Sequence, residues 1–201
     1  MRGITGILLA AGSSRRFGSN KLLVPLPDGT PLVLAAVRRL RSVLDAVIAV
    51  VHPLDRVLPE LLAAEHVQVV VCQNADTGRG ASLAAGVAAS GDARGWLIVL
   101  ADMPAIQLST LQRVAQALDT GAVLAAPFHA GQRGHPVGFH SSVRDELLTL
   151  SGEVGARAIL TRHAAVLTRL DVDDAGILLD VDTPADLAAW LAGQSDGGIT
   201  S

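Results

Sequence analysis

Short apolar runs at 4–10, 45–51, 67–72 and 96–101 alternate with helix-like segments at 31–43, 55–64 and 80–90. The runs are rich in Val, Ile and Leu, as parallel strands buried on both faces require. Parallel neighbours need crossover connections, and these are right-handed, so the alternation predicts a three-layer αβα domain on a mostly parallel sheet. Functional groups should then gather at the carboxyl ends of the strands. Further along, the pattern predicts a helix at 108–119 opening on Ser109 and Thr110, then a strand at 122–127. Helices at 141–150 and 154–163, strands near 166–171 and 176–181, and a last helix from Pro184 to Leu191 complete the alternation. Residues 128–139, FHAGQRGHPVGF, are glycine-rich and read as an inserted loop and edge strand leaning over the active face. One domain over 1–193 and a flexible tail at 194–201 are expected.

Composition narrows the functional classes. At 201 residues, 50% hydrophobic and 17% charged, the chain suits one well-buried domain and would be cramped as two. A net charge of -3 and a pI near 6.0 argue against nucleic acid or an anionic membrane as the main partner, because either favours a broad basic surface. Aromatics make up 2% and Tyr is absent, so stacking platforms for single-stranded nucleic acid are not expected. Cys72 is the single cysteine, which excludes an intramolecular disulfide and a Cys-rich zinc site and fits a reducing cytoplasm. The opening MRGITGILLAAG superficially resembles a signal peptide, but its apolar run is short and leads directly into charge, so it reads as a first strand. No segment approaches the roughly 18 apolar residues of a membrane span.

The first strand runs into the loop Leu8 to Lys21, LLAAGSSRRFGSNK. Gly12, Ser13 and Ser14 have little bulk to keep backbone N–H groups from phosphate oxygens, and Arg15, Arg16 and Lys21 add positive charge. A tight turn with a solvated basic face is the plainer alternative. The Walker loop fails because Gly18 is followed by Ser19-Asn20-Lys21. Neither Gly12 to Gly18 nor Gly78 to Leu83 spells a dinucleotide fingerprint.

Acidic groups fall where a hard cation could be held. Asp102 follows the run Trp96 to Ala101, and a carboxylate at the mouth of a buried strand suits Mg²⁺ as well as it suits a turn ahead of Pro104. In Leu179-Asp180-Val181-Asp182-Thr183-Pro184, strand alternation would put both aspartates on one face, while Thr183 offers the helix cap. Ahead of both, Cys72 to Ser82 carries Asn74, Gly80 and Ser82. The polar side chains can read a base or ribose, and the glycine permits close backbone approach.

Residues 9–21 resemble the signature LAxGxSxRxGxxK of the MobA-like nucleotidyltransferases, in particular the molybdenum cofactor cytidylyltransferases, with Phe17 where Met is common. LADMP around Asp102, DVDTPADL around Asp182, and Asn74 followed by G-x-x-x-S and Gly86 match the family in the expected order. So do Gly134-His135-Pro136-Val137 and Gly152-Glu153-Val154-Gly155-Ala156-Arg157, where Glu153 replaces the usual Asp. The resemblance spans Leu8 to Leu187 and implies a Rossmann-like nucleotidyltransferase fold.

The resemblance also implies roles. Leu9, Ala10, Ala11, Gly12, Ser13, Asn74, Gly80 and Ser82 would hold the nucleotide, with Arg15 and Lys21 on the phosphates. Asp102 and Asp182, favoured over Asp180, would hold Mg²⁺, and Gly134, His135 and Pro136 would face the acceptor. His135 also has a plainer reading as a structural hydrogen-bond donor. The implied reaction joins CMP from CTP, or a nucleotide from another NTP, to the terminal phosphate of a molybdopterin-type cofactor and releases pyrophosphate. A client molybdoenzyme or its chaperone would be a further partner. Ala11, giving LAAG where guanylyl-transferring relatives carry LAGG, is associated with cytosine. A sugar-phosphate acceptor, or a cofactor-binding chaperone without turnover, remains an alternative.

Overall fold

The structure, a computed structural model, describes residues 3–12, 20–152 and 155–196. Strands β1 (Ile4–Ala10), β2 (Ala46–Val51), β3 (Gln68–Val71) and β4 (Gly95–Leu100) alternate with helices α1 (Leu32–Arg41), α2 (Leu58–Ala64) and α3 (Arg79–Ala89). β1 pairs in parallel with both β2 and β4, and β3 adds in parallel to β2. Helix α4 (Leu108–Asp119) then leads to β5 (Leu124–His129), β6 (Gln132–Arg133) and β7 (Val137–His140). Helices α5 (Arg144–Leu148) and α6 (Arg157–Arg162), strand β8 (Leu167–Asp171) and helix α7 (Pro184–Asp196) complete the chain.

The order across the sheet is β3-β2-β1-β4-β7-β5, with β6 on β7's side of β5 and β8 parallel to β5 on its other side. The sheet is therefore parallel except for the β6–β7 return. Val137 to His140 is not the edge strand that the sequence suggested. It lies in the interior, antiparallel to both β4 and β5. Its four residues include Gly138, which ordinarily weakens a strand signal. Here a Cβ on Gly138 would stand 3.0 Å from side-chain carbons of Val114 and Leu118, so glycine lets α4 approach the sheet closely.

Strand alternation divides the interior into two clusters. Leu8 and Ala10 face the layer of α1, α2 and α4, where Leu32, Leu40, Leu58, Leu62, Val114 and Leu118 are buried, and Leu187 of α7 joins them. Ile7 faces the other layer with Leu83 and Val87 of α3, Leu147 of α5 and Ile159 of α6. Gly86 belongs to this packing: a Cβ there would come within 2.8 Å of Ile7 Cγ2, so its position in the family pattern has a close-approach explanation.

The expected strand at 176–181 is absent. Residues Ala175–Leu178 form a 3-10 turn because Asp174 Oδ1 accepts from Gly176 N at 3.0 Å, and the chain runs on as irregular backbone to Asp182. Asp180 is exposed. Helix α7 continues to Asp196, beyond the expected Leu191 end and into the segment read as tail. The predicted helix at 141–150 is a 3-10 turn over Ser141–Val143 followed by α5, and the helix expected from 154 begins at Arg157.

Candidate active site

The carboxyl ends of β1 and β4 build the centre of the site. Leu9 and Ala10 are largely committed to the sheet: Leu9 O accepts from Ala101 N at 3.1 Å, and Ala10 is 2% exposed in register with Val51. Ala11 packs its small side chain on the α3-side core, and Gly12 is exposed with no atom within 4 Å of where a Cβ would be. Ser13, Ser14, Arg15 and Arg16 lie outside the described residues, as does Glu153.

Asn20 brings the chain back to the site. Its side chain accepts from Leu22 N at 3.2 Å, capping the 3-10 turn Lys21–Leu23, and donates to Asp55 Oδ2 at 2.7 Å. Asp55 Oδ1 in turn accepts from Val57 N at 3.0 Å and Leu58 N at 2.9 Å at the start of α2. This anchor, which the sequence reading did not single out, fixes where Lys21 leaves the backbone.

Lys21 is buried and donates to two carboxylates distant in sequence: Asp102 Oδ2 at 2.8 Å and Asp182 Oδ1 at 2.7 Å. Burial alone would lower its pKa, but the hydrogen bonds and charges of Asp102 and Asp182 outweigh that and raise it above the ordinary lysine value. Three residues that the sequence assigned to two tasks, phosphate binding and metal binding, thus meet at one point. A backbone bond from Val181 N to Asp102 O at 2.9 Å locks the two acidic segments together. Downstream, Asp186 Oδ2 accepts from Asp182 N, Thr183 N and Thr183 Oγ1 at 3.1, 2.7 and 2.8 Å, and Asp186 N donates to Thr183 Oγ1 at 3.2 Å. That reciprocal cap opens α7.

Asp102 Oδ1 is buried without a hydrogen-bond partner among the described residues. A buried carboxylate oxygen left unpaired is costly, and a hard cation is one natural occupant of its lone pairs. The described residues contain no group of three or more His, Cys, Asp or Glu able to close around a metal. Two carboxylates and open remaining positions are nevertheless what Mg²⁺ commonly uses, since it keeps waters and takes substrate phosphate oxygens.

The two flanks are built from backbone contacts. On one, Asn74 is exposed and its carbonyl holds Thr77 N at 3.0 Å and Thr77 Oγ1 at 2.8 Å. Gly80 N donates to Gly152 O at 3.0 Å, and a Cβ on Gly80 would sit 2.8 Å from Ser151 O, so this glycine is required for the docking of the 151–152 segment. Ser82 is buried one turn into α3. On the other flank Gly134 N donates to Pro127 O and His135 N to Ile177 O, both at 3.0 Å, ahead of the cis bond to Pro136. A Cβ on Gly134 would collide with the Ile177 carbonyl. His135 Nδ1 is buried without a partner among the described residues. Burial lowers the pKa of this ring, and Arg79 and Arg133 act the same way. A backbone hydrogen bond at Ile98 and the Asp102 charge oppose them without reversing the shift.

The mostly parallel αβα sheet has the Rossmann-like fold of solved nucleotidyltransferases, with the Lys21–Asp102–Asp182 cluster at its carboxyl edge. The chain belongs to the MobA-like NTP transferase domain family, which residues 6–166 match. It is 34% identical over 192 residues to the purine catabolism protein PucB of Bacillus subtilis (strain 168), covering 90% of this chain and 92% of that one. It is 29% identical to the nicotine blue oxidoreductase of Paenarthrobacter nicotinovorans (90% and 92% covered) and 26% identical to the molybdenum cofactor cytidylyltransferase of Escherichia coli (strain K12) (92% and 94% covered). Among solved structures, Rv0371c from Mycobacterium tuberculosis H37Rv matches at a TM-score of 0.84, with 29% identity and 94% and 98% of the two chains covered. A manganese complex of Rv0371c matches at 0.79, with 28% identity and the same coverage.

Proposed function

We propose that this nucleotidyltransferase is a Mg²⁺-dependent cytidylyltransferase, joining CMP from CTP to the terminal phosphate of a molybdopterin-type acceptor and releasing pyrophosphate. The observation that carries the reading is Lys21 seated between Asp102 and Asp182, beside a buried Asp102 oxygen that has no hydrogen-bond partner among the described residues. The LAAG form of the first loop and the likeness to a molybdenum cofactor cytidylyltransferase support the choice of CTP and acceptor. The manganese complex of a relative supports a divalent ion.

In this reading an oxygen of the acceptor phosphate attacks the α-phosphorus, and the bond to the α–β bridging oxygen breaks with its electrons leaving on pyrophosphate. The acceptor is already anionic at neutral pH, so the protein supplies neither a covalent nucleophile nor a strong base. Its work is alignment and charge neutralisation. Lys21 follows the triphosphate, and Arg15 shares that task. Laid letter by letter on residues 9–21, the signature places its serine and arginine on Ser14 and Arg16, so these are proposed phosphate-side groups alongside Ser13 and Arg15. Asn74, Gly80 and Ser82 border the nucleoside, and Gly134, His135 and Pro136 face the acceptor. Bound by Asp102 and Asp182, Mg²⁺ would stabilise negative charge developing on the α-phosphate.

No helix among the described residues is long and apolar enough to cross a membrane. A cytoplasmic setting is part of this proposal, and the single cysteine, Cys72, is buried and free. Pyrophosphate release across four nucleotides and several phosphorylated acceptors, with and without Mg²⁺, tests the proposal. Release confined to CTP, molybdopterin and Mg²⁺ supports it. Release with a sugar phosphate alone reassigns the acceptor, and binding without release in any combination identifies a chaperone-like role.

A further inference from the structure

Asp174 is 2% exposed, and both of its carboxylate oxygens accept hydrogen bonds. Oδ2 accepts from Gln107 N at 2.9 Å and Thr110 Oγ1 at 2.6 Å, and Oδ1 accepts from Gly176 N at 3.0 Å. One side chain therefore ties the start of α4 to the beginning of the 174–182 segment. The next contacts make that tie tight: a Cβ on Gly176 would collide with the Ala105 carbonyl, in the loop that follows Asp102. Ile177 O then holds His135 N at 3.0 Å, and Val181 N reaches Asp102 O at 2.9 Å, delivering Asp182 to Lys21 one residue later.

We propose that Asp174 is a positioning residue for catalysis: it sets the register of residues 175–182, and so places both Asp182 beside Asp102 and the Gly134–Pro136 loop at the acceptor side. This rests on the reading of Asp102 and Asp182 as the metal pair. A neutral amide cannot reproduce the three acceptor bonds, because one end of it would present N–H groups to backbone N–H or hydroxyl donors. The segment would then lose its fixed register while Asn20 and α3, on the proposed nucleotide side, keep their own anchors at Asp55 and Gly152.

The test is Asp174→Asn together with Thr110→Val, which deletes one of the three bonds without touching charge. Each is compared with wild type and with Asp182→Ala by Mn²⁺ titration without nucleotide and by steady-state kinetics. Both positioning variants should remain folded by circular dichroism, with Mn²⁺ binding weakened about tenfold for Asp174→Asn and less for Thr110→Val. Acceptor KM should rise and kcat fall while KM for CTP stays within about twofold of wild type. A merely structural role would lower melting temperature and active fraction, leaving Mn²⁺ affinity and acceptor KM unchanged, and that result overturns the proposal. If Asp174→Asn does not fold, the same readouts on Thr110→Val decide. Unchanged Mn²⁺ affinity in Asp182→Ala overturns instead the metal-pair reading on which the inference rests.

Discussion

Replacing Lys21 by Met should tighten, not weaken, the binding of a divalent cation to the nucleotide-free protein. Lys21 Nζ lies 2.8 Å from Asp102 and 2.7 Å from Asp182, so it occupies the carboxylates that the cation would use. The lysine side chain is 9% exposed, Asp102 23% and Asp182 39%. A hydrogen bond to a charged group contributes about 1.5–3 kcal/mol, which suits the more buried Asp102 pair. The Asp182 pair, more than a third exposed, is discounted to about 0–1 kcal/mol for solvent screening. Freeing both carboxylates thus removes about 2 kcal/mol of competition, or about thirtyfold in affinity at 1.4 kcal/mol per decade. Methionine keeps the apolar stem in place. Free Mn²⁺ measured by electron paramagnetic resonance during titration without nucleotide gives the affinity directly. In the same protein CTP use should collapse, because the phosphates have lost their ammonium. Unchanged or weaker Mn²⁺ binding by a folded Lys21→Met protein would refute the idea that lysine and metal share these carboxylates.

Three further outcomes are expected. Asp102→Ala should lower kcat at least about 100-fold, while costing about 1 kcal/mol of stability because Lys21 keeps Asp182; Mg²⁺-dependent turnover near wild type in the folded variant contradicts this. His135 has a pKa below its ordinary 6.5 because it is buried, so the unfolded chain takes up its proton first. Stability should therefore fall as pH drops below about 6.5 toward the folded value, and His135→Gln should flatten the slope of melting temperature against pH between 5.5 and 7.5. In thermal-shift measurements with Mg²⁺, CTP should stabilise more than GTP at equal concentration, approaching about 2.7 kcal/mol at 100 times its dissociation constant, and Ala11→Gly should narrow the gap. Equal shifts with all four nucleotides would leave a transferase without cytosine selectivity.

The first half of the fold was legible because each apolar run from Ile4 to Leu100 is a strand separated from the next by a helix, and β1, β2 and β4 are buried on both faces; the edge strand β3 is only partly covered, with Val71 exposed. Local pattern and tertiary structure agree there. The pattern misled where a side chain overrode it: Ile177-Leu178-Leu179 is apolar enough for a strand, but Asp174 turns the chain at Gly176. Val137 to His140 is too short, and too interrupted by Gly138, to announce an interior strand, and its place depends on pairing with β4 and β5. In the site, residue types pointed to Lys21, Asp102 and Asp182 separately. Their meeting depends on three chain segments 81 and 161 residues apart, and no local spacing encodes it. Asp174, which is buried, and Asp55, which is half-buried, went unnoticed because anchoring aspartates look, in sequence, like ordinary loop residues.

Label transfer tests the central claim most directly. Purified protein is incubated with Mg²⁺, molybdopterin and CTP carrying ³²P at either the α or the γ position, and the products are separated. Nucleotidyl transfer predicts α-label in the acceptor product and γ-label in pyrophosphate, with both signals lost in Asp102→Ala. Gamma-label on the acceptor, or acceptor-bound label that survives Asp102→Ala, would contradict the account.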